Sequence, residues 1–408
     1  MSTPPPPLPT TLDYPEVPVG AILAGAAHRF GERVAFRHGS DELTFTALWL
    51  RASHFAHGLV DAGVGTADVV AMHLPNCLAF PIAYYGTLLA GATFSPANPL
   101  LPANDLAAQL TDCGAKAVVT FGPMSAPLFA VRDQVNPRLV VVHRPTSGGD
   151  FVDFEDFGAD SPDTPPAVTI DVYQQLAHLA YTGGTTGRSK GVRLPHRNVV
   201  VNALQYACWG SGSVPALDAD GYLSLNQIGD ESEWPTRLGT GISISLTPFF
   251  HAMGTIDGLN VPMLTGGTTV LHDRFDPKAY LADAERLRVT TMGGAPPLFG
   301  ALLACPDLPT RDLSSVRGIS SGAAPLPTDM INSLRRLLPD AVICEGYGLT
   351  EVTMGATSSP SARSATRKVG AVGPPVFDTE VKIVAADGGE QPLPTGTAGE
   401  VCVRGPQV

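Results

Sequence analysis

An α/β fold is expected for this 408-residue chain, and three observations point to it. Short runs rich in Val and Ile alternate with segments of helical periodicity, the signature of βαβ units built around parallel strands. The length exceeds that of one ordinary domain, so two βαβ-type subdomains with mixed or parallel sheets are expected. Near the C-terminus the pattern changes to glycine-punctuated strands at 380–384 and 399–404, which read as a small β unit beginning near Gly370.

Residues 1–18, MSTPPPPLPTTLDYPEVP, are proline-rich and have neither a basic start nor an apolar core. They read as a flexible lead-in and not as a signal peptide. A helix is predicted over 46–62 and a strand over 69–74. Residues 74–104 carry no charge but are broken by Pro75, Pro81, Pro96, Pro99 and Pro102. That stretch fits a buried helix, 77–90, followed by a buried strand better than a membrane span. A helix at 104–113 and strands at 117–121 and 138–143 follow. Residues 146–163 read as a loop, then 175–180 as a strand and 198–209 as a helix. Residues 210–241 are acidic and turn-rich, and an irregular stretch of that length reads as a surface insertion or partner contact. Beyond it come strands at 242–246, 268–271, 316–321 and 341–345, interleaved with helices at 277–287, 296–303 and 327–337. The domain reading is therefore a lead-in, a large domain over 19–369 carrying the 210–241 insertion, and a β unit over 370–408.

Composition excludes some functions. Apolar residues make up 44% of the chain and charged ones 16%, so a large core is available and global disorder is excluded. Asp and Glu outnumber Lys and Arg by 38 to 26, which argues against a nucleic-acid surface. A nucleotide ligand is still allowed, because a phosphate pocket needs only local donors. The six cysteines lie tens of residues apart with no C-x-x-C pair. They read as reduced thiols of a cytoplasmic protein. The ten histidines are scattered, and none is expected in a metal cluster.

The densest chemistry lies in YTGGTTGRSKG, residues 181–191. Gly183, Gly184 and Gly187 let the backbone approach an anion and present N–H groups. Thr182, Thr185, Thr186 and Ser189 add hydroxyls, and Lys190 adds positive charge. Such a set grips a polyphosphate, although neither the Walker pattern nor a dinucleotide G-x-G-x-x-G can be placed on it.

This segment resembles the phosphate loop of the adenylate-forming superfamily of acyl-CoA synthetases, carrier-loading adenylation domains and luciferases. Four more segments resemble that family's motifs in order: TPFFHAMG (247–254), SSGAAPL (320–326), EGYGLTE (345–351) and GEVCVRGPQV (399–408). The last two look most like fatty-acid CoA ligases. The resemblance implies an ATP site formed by Thr182, Gly183, Gly184, Thr185, Thr186, Gly187 and Lys190. On the adenine side it adds Gly322, Ala323, Ala324, Glu345, Gly346, Tyr347, Gly348, Leu349 and Thr350. Tyr347 offers a flat face, and stacking on such a face contributes roughly 1–3 kcal/mol per base. Glu351, with Thr185, would hold Mg²⁺, which prefers few carboxylates plus substrate phosphates. Thr185, Lys190, His251 and Glu351 are the implied catalytic residues, with a satisfied structural role for His251 as the competing reading. The implied acid pocket includes Phe250, His251, Gly254, Thr255, Gly294 and Ala295, together with Gly258 and Gly293.

The implied reaction joins a carboxylate to AMP, expelling pyrophosphate, and then transfers the acyl group to coenzyme A. Mostly small pocket residues lean toward a medium or long aliphatic chain. An aryl or phenylpropanoid acid, a carrier-protein acceptor and a non-catalytic binding module are the alternatives. A small-molecule acid, ATP and CoA are the implied partners; no transmembrane segment is expected, and a homodimer is allowed. The family's pattern continues past Val408 into a mobile C-terminal domain with a catalytic lysine, which cannot be matched here. On that expectation the chain alone turns over poorly. Two departures from the pattern are Arg188-Ser189 ahead of the lysine and the length of the 210–241 insertion.

Overall fold

Along the strand Val69–His73, Val70 and Met72 are buried on one side while Val69 and Ala71 pack on the other. Alternation with both sides apolar means that the sheet is covered on both faces. The computed structural model describes residues 8–182, 189–230 and 232–408, and two large sheets organise them. The first has seven strands in the order Val152–Asp153, Leu139–His143, Ala115–Phe121, Val69–His73, Thr93–Pro96, Leu176–Thr182 and Lys190–Pro195. Its neighbours are parallel except the last pair.

The second sheet has eight strands, in the order Thr357–Ser358, Val342–Tyr347, Gly318–Ser321, Thr291–Gly294, Ile242–Ser245, Thr268–Leu271, Val34–His38 and Asp41–Thr44. Its six inner strands are parallel and only the two edge pairs are antiparallel. A third, two-stranded unit pairs Glu380–Val384 with Glu400–Arg404.

Apolar clusters define five layers. Leu106, Leu110 and Leu128, from helices Ala103–Asp112 and Ala126–Val135, cover the outer face of the first sheet against Val118, Val140 and Val142. Tyr280, Phe299 and Ile331, from helices Pro277–Arg286, Pro296–Leu303 and Thr328–Leu337, cover the outer face of the second against Ile244, Met292 and Ile319. Between the sheets lie helices Gly20–Phe30, Phe45–Asp61, Ala79–Leu89 and His196–Ser211. Their Ile22, Phe55, Tyr84 and Val200 share one core with Val70 and Met72 of the first sheet and Phe36 and Leu271 of the second. Local signals start the helices: Thr44 accepts from the Ala47 amide at 3.1 Å, and Asp276 from that of Ala279 at 2.8 Å ahead of Pro277.

The uncharged stretch is the buried helix Ala79–Leu89, apolar all round because core surrounds it. Among the described residues no helix is long and apolar enough to cross a membrane.

Two segments differ from expectation. Residues 8–18 are docked and not free: Leu8 and Leu12 are buried, and the Tyr14 hydroxyl donates to Asp378 at 2.7 Å. Proline-rich composition hid the three apolar anchors. Residues 210–241 are not one irregular loop, because a hairpin, Ser213–Leu217 with Leu223–Gln227, forms inside them. Leu223, Leu225 and Trp234 are buried, and a Cβ on Gly25 would lie 1.9 Å from the Leu223 carbonyl oxygen. The hairpin is part of the core.

Candidate active site

Apart from GEVCVRGPQV, which forms the antiparallel strand Glu400–Arg404, the motif segments run through or just past the carboxyl end of a strand in one of the two large sheets. Thr182 closes Leu176–Thr182, TPFFHAMG follows Ile242–Ser245, Ala295 follows Thr291–Gly294, Gly322 follows Gly318–Ser321, and Tyr347 ends Val342–Tyr347. In open parallel sheets that edge is where ligands bind. Register aligns three of these ends: Gly294 pairs with Ser321, and Ser321 with Glu345.

Glu345 ties two motifs together. Its carboxylate accepts from the Leu326 amide at 2.9 Å, and its own amide donates to the Ser359 hydroxyl at 3.2 Å. The side chain therefore braces the adjoining SSGAAPL segment. Ala323 in that segment has φ 65°, and Thr353 just after EGYGLTE has φ 74°. Such strain in non-glycine residues clusters at ligand sites. A Cβ on Gly322 would lie 3.3 Å from Met253 Cε, so TPFFHAMG borders the adenine-side segment. Tyr347 remains 39% exposed. Gly346 and Tyr347 pair with Ser358 and Thr357. Gly348 is required, because a Cβ there would sit 1.8 Å from the Met354 carbonyl oxygen. Leu349 and Glu351 are exposed, and Thr350 and Glu351 lie in a 3₁₀ turn, Thr350–Val352.

At the other sheet, Thr182 pairs with Lys190 across the base of the glycine-rich segment, and the Ser189 hydroxyl donates to the Thr182 carbonyl at 2.6 Å. Lys190 is exposed there. Gly183, Gly184, Thr185, Thr186 and Gly187 lie outside the described residues.

The acid-pocket candidates divide. Phe250 and the exposed His251 form a ring pair 4.7 Å apart, and burial of part of the imidazole lowers its pKa. Ala295 and Gly294 stand at the strand edge. Thr255 does not present its hydroxyl, which is buried and donates to the Phe249 carbonyl at 2.6 Å. Gly254 serves packing, since a Cβ there would sit 2.0 Å from the Pro248 carbonyl oxygen. The turn after His251 is tight enough that the Thr255 hydroxyl and the Cβ side of Gly254 both meet backbone carbonyls.

Reading along the sequence missed residues that hold this segment. The Asn76 carboxamide donates to the Thr247 carbonyl at 2.9 Å and accepts from the Phe249 amide at 2.8 Å. One side chain from the first sheet thus clamps the TPFFHAMG turn of the second. A polar residue just past the carboxyl end of Val69–His73 was the available signal. Behind the turn, Asn260 ends a π-helical turn, Ile256–Asn260. It accepts from the Tyr85 hydroxyl at 3.0 Å and donates to Tyr84 Oη and the Thr255 carbonyl at 2.9 and 2.8 Å. Tyr84 Oη lies 2.8 Å from His178 Nε2 on the strand entering the glycine-rich segment. Because Tyr84 already accepts from Asn260, it donates to His178, whose imidazole is neutral with burial pushing its pKa down to about 3.

One of the scattered histidines lies beside two carboxylates. His28 Nε2 lies 3.6 and 3.4 Å from Asp218 and Asp220, brought in by the hairpin some 190 residues on. All six cysteines are free thiols, four of them buried. Mg²⁺ fits the chemistry of Glu351, an exposed carboxylate with no hydrogen-bond partner among the described residues.

A model of the AMP-binding enzyme family matches residues 23–408. A feruloyl-CoA synthase of Amycolatopsis sp is 32% identical over 92% of this chain, which spans 67% of that relative. A long-chain-fatty-acid–CoA ligase of Bacillus subtilis (strain 168) is 27% identical over 98% of this chain and 71% of its own length. Among solved structures, a long-chain-fatty-acid-CoA ligase from Archaeoglobus fulgidus matches all of this chain and 77% of its own, with a TM-score of 0.82 at 22% identity; this last likeness concerns the fold.

Proposed function

The chain belongs to the AMP-binding enzyme family and is an acid–thiol ligase of the AMP-forming kind, and from that premise we propose that it activates a hydrophobic carboxylic acid with ATP and passes the acyl group to coenzyme A. The observation that carries this reading is the alignment of Gly294, Ser321 and Glu345 across three strand ends, with Met253 against Gly322. That arrangement supports a reading in which the acid and the adenine lie side by side at these strand ends.

A carboxylate is a weak nucleophile and poor acyl donor, so the acid oxygen attacks the α-phosphorus of ATP. A new P–O bond forms as the bond to pyrophosphate breaks. The CoA thiol then adds to the acyl carbon, loses its proton, and AMP departs. The chain's contribution is positioning and charge stabilisation. Tyr347 stacks on adenine, and Gly322, Ala323 and Ala324 admit it closely. Lys190 and the glycine-rich amides hold the phosphates, while His251 and Phe250 border the acid. Bound at Glu351 and Thr185, Mg²⁺ would neutralise phosphate charge.

The leading acid is a medium or long aliphatic one, on the small residues Gly294 and Ala295 at the pocket edge. A phenylpropanoid acid is the second reading, supported by the higher identity of the feruloyl relative, 32% against 27%. Calorimetric titration with non-hydrolysable acyl-adenylate mimics of graded chain length and ring content tests both. Aliphatic mimics should bind at least tenfold more tightly than AMP. Tighter binding of the feruloyl mimic would transfer the assignment to the second reading, and equal binding of AMP and every mimic would overturn the ligase reading.

A further inference from the structure

At the amino end of the strand Val342–Tyr347, opposite the motif edge, lies a cavity of about 320 Å³. Arg335, Arg363 and Arg367 line it, and Asp340 is the one acid among its lining residues. Arg363 pairs with Asp340 at 3.3 Å. Arg367 is partly buried and spends its donors on carbonyls alone: Nη1 on Pro360 and Ala362 at 2.9 and 2.6 Å, Nη2 on Arg363 at 3.0 Å. Among the described residues no carboxylate pairs with Arg367 or Arg335, and the Arg335 guanidinium has no hydrogen-bond partner. Three guanidiniums less one carboxylate leave two positive charges uncompensated, in a chain whose net charge is −12.

A partly buried charge without a counter-ion is unfavourable. Burial, with Arg335 and Arg363 nearby, accordingly pulls the Arg367 guanidinium below its ordinary pKa. An anion entering the cavity removes both penalties, and the planar fork of arginine matches phosphate oxygens. The geometry points to a second anion site here, one that takes a doubly charged phosphate group. Its source is free inorganic phosphate or a phosphate monoester. Ile343, the lining residue furthest along that strand, stands four residues short of Tyr347, about 13 Å at about 3.3 Å per residue, so the cavity is distinct from the nucleotide pocket. The site also touches the motif edge indirectly. Arg367 holds the carbonyls of 360 and 362, and the neighbouring Ser359 exchanges hydrogen bonds with the Glu345 backbone.

Urea unfolding in sodium phosphate, in glycerol 2-phosphate and in sodium chloride of matched ionic strength tests the site. Phosphate should raise the midpoint above chloride in a saturable way, since a ligand of the folded state stabilises it. A matching rise with glycerol 2-phosphate assigns the monoester, and a rise with phosphate alone assigns the free ion. Lys190→Ala should keep the effect, which separates it from the glycine-rich segment. Arg335→Gln, an exposed change without structural partners, should weaken apparent affinity severalfold, and Arg335→Gln with Arg363→Gln at least tenfold. Phosphate and chloride acting alike, or an unchanged phosphate response in Arg335→Gln, would overturn the proposal.

Discussion

Ala323 holds φ 65° without being glycine, and that backbone costs an L-residue roughly 1–2 kcal/mol. Replacing it tests whether the strained SSGAAPL turn is held by its surroundings. Ala323→Gly should leave stability unchanged or raise it by about 1 kcal/mol, and Ala323→Val should lower it, both read by urea unfolding. Gly348 carries the opposite constraint, because Met354 O occupies the space of a Cβ at 1.8 Å. Gly348→Ala should cost about 1–3 kcal/mol, as overpacking does. Tyr347 projects a partly exposed ring with no core role. Tyr347→Ala should weaken AMP binding by roughly ten- to a hundredfold, the range expected of stacking, without moving the unfolding midpoint. A midpoint that falls with the affinity would assign Tyr347 to packing. The identity of these motif residues was readable in sequence. The reasons for Gly348, Gly254 and Thr255 were not, because each depends on a backbone oxygen brought close by the turn.

Between elements, the side chain of Asn76 acts as a short piece of strand, bonding the Thr247 carbonyl and the Phe249 amide two residues apart. Asn76→Ala frees the turn that carries Phe250 and His251. Calorimetry should then show a loss of several-fold or more in the affinity gained by an acyl-adenylate mimic over AMP, with AMP affinity itself unchanged. Asn76→Asp, which keeps the acceptor for the Phe249 amide, should recover part of that gain; no recovery would favour a general packing role. Asn260 is more deeply placed, and Asn260→Ala leaves the Tyr85 hydroxyl without its partner and takes a donor from the Thr255 carbonyl, while Tyr84 keeps His178. Buried orphans of that kind cost about 1–3 kcal/mol each, so chemical denaturation should report a loss at the upper end of ordinary substitutions. Both asparagines lay in stretches read only for periodicity, where a lone amide carries no pattern.

The whole molecule shares one core between its sheets, and buried imidazoles make that core sensitive to acid. Burial pushes His73 and His196 down to about 4 and His178 to about 3. An unfolded histidine titrates near 6.5, so between about pH 6.5 and 4 the unfolded chain binds more protons and stability falls as pH falls. Asp257 acts in the opposite direction: burial raises its carboxyl to about 6, so acidification over about pH 6 to 4 favours the fold through that group. Three histidines outweigh one aspartate. Urea midpoints should drop steadily from pH 6.5 to 4.5, and a flat profile would show the imidazoles to be solvated. His73→Gln and His178→Gln should flatten the slope even where they lower stability at pH 7.

Sequence alone determined the α/β class, most inner strands to within two or three residues, and the glycine-rich, SSGAAPL and EGYGLTE segments. These rest on local signals: period-two apolar runs, helix caps, and clusters of glycine, hydroxyl and charge. Tertiary structure decided what is remote along the chain. The hairpin strands Val34–His38 and Asp41–Thr44 lie early in the chain yet complete the second sheet beside Thr268–Leu271, and the hairpin in 213–227 closes over helix Gly20–Phe30. Register, which sets Gly294, Ser321 and Glu345 side by side, comes from packing both faces of a sheet at once. No stretch of sequence carries that information, because the burial that fixes it is shared among segments hundreds of residues apart.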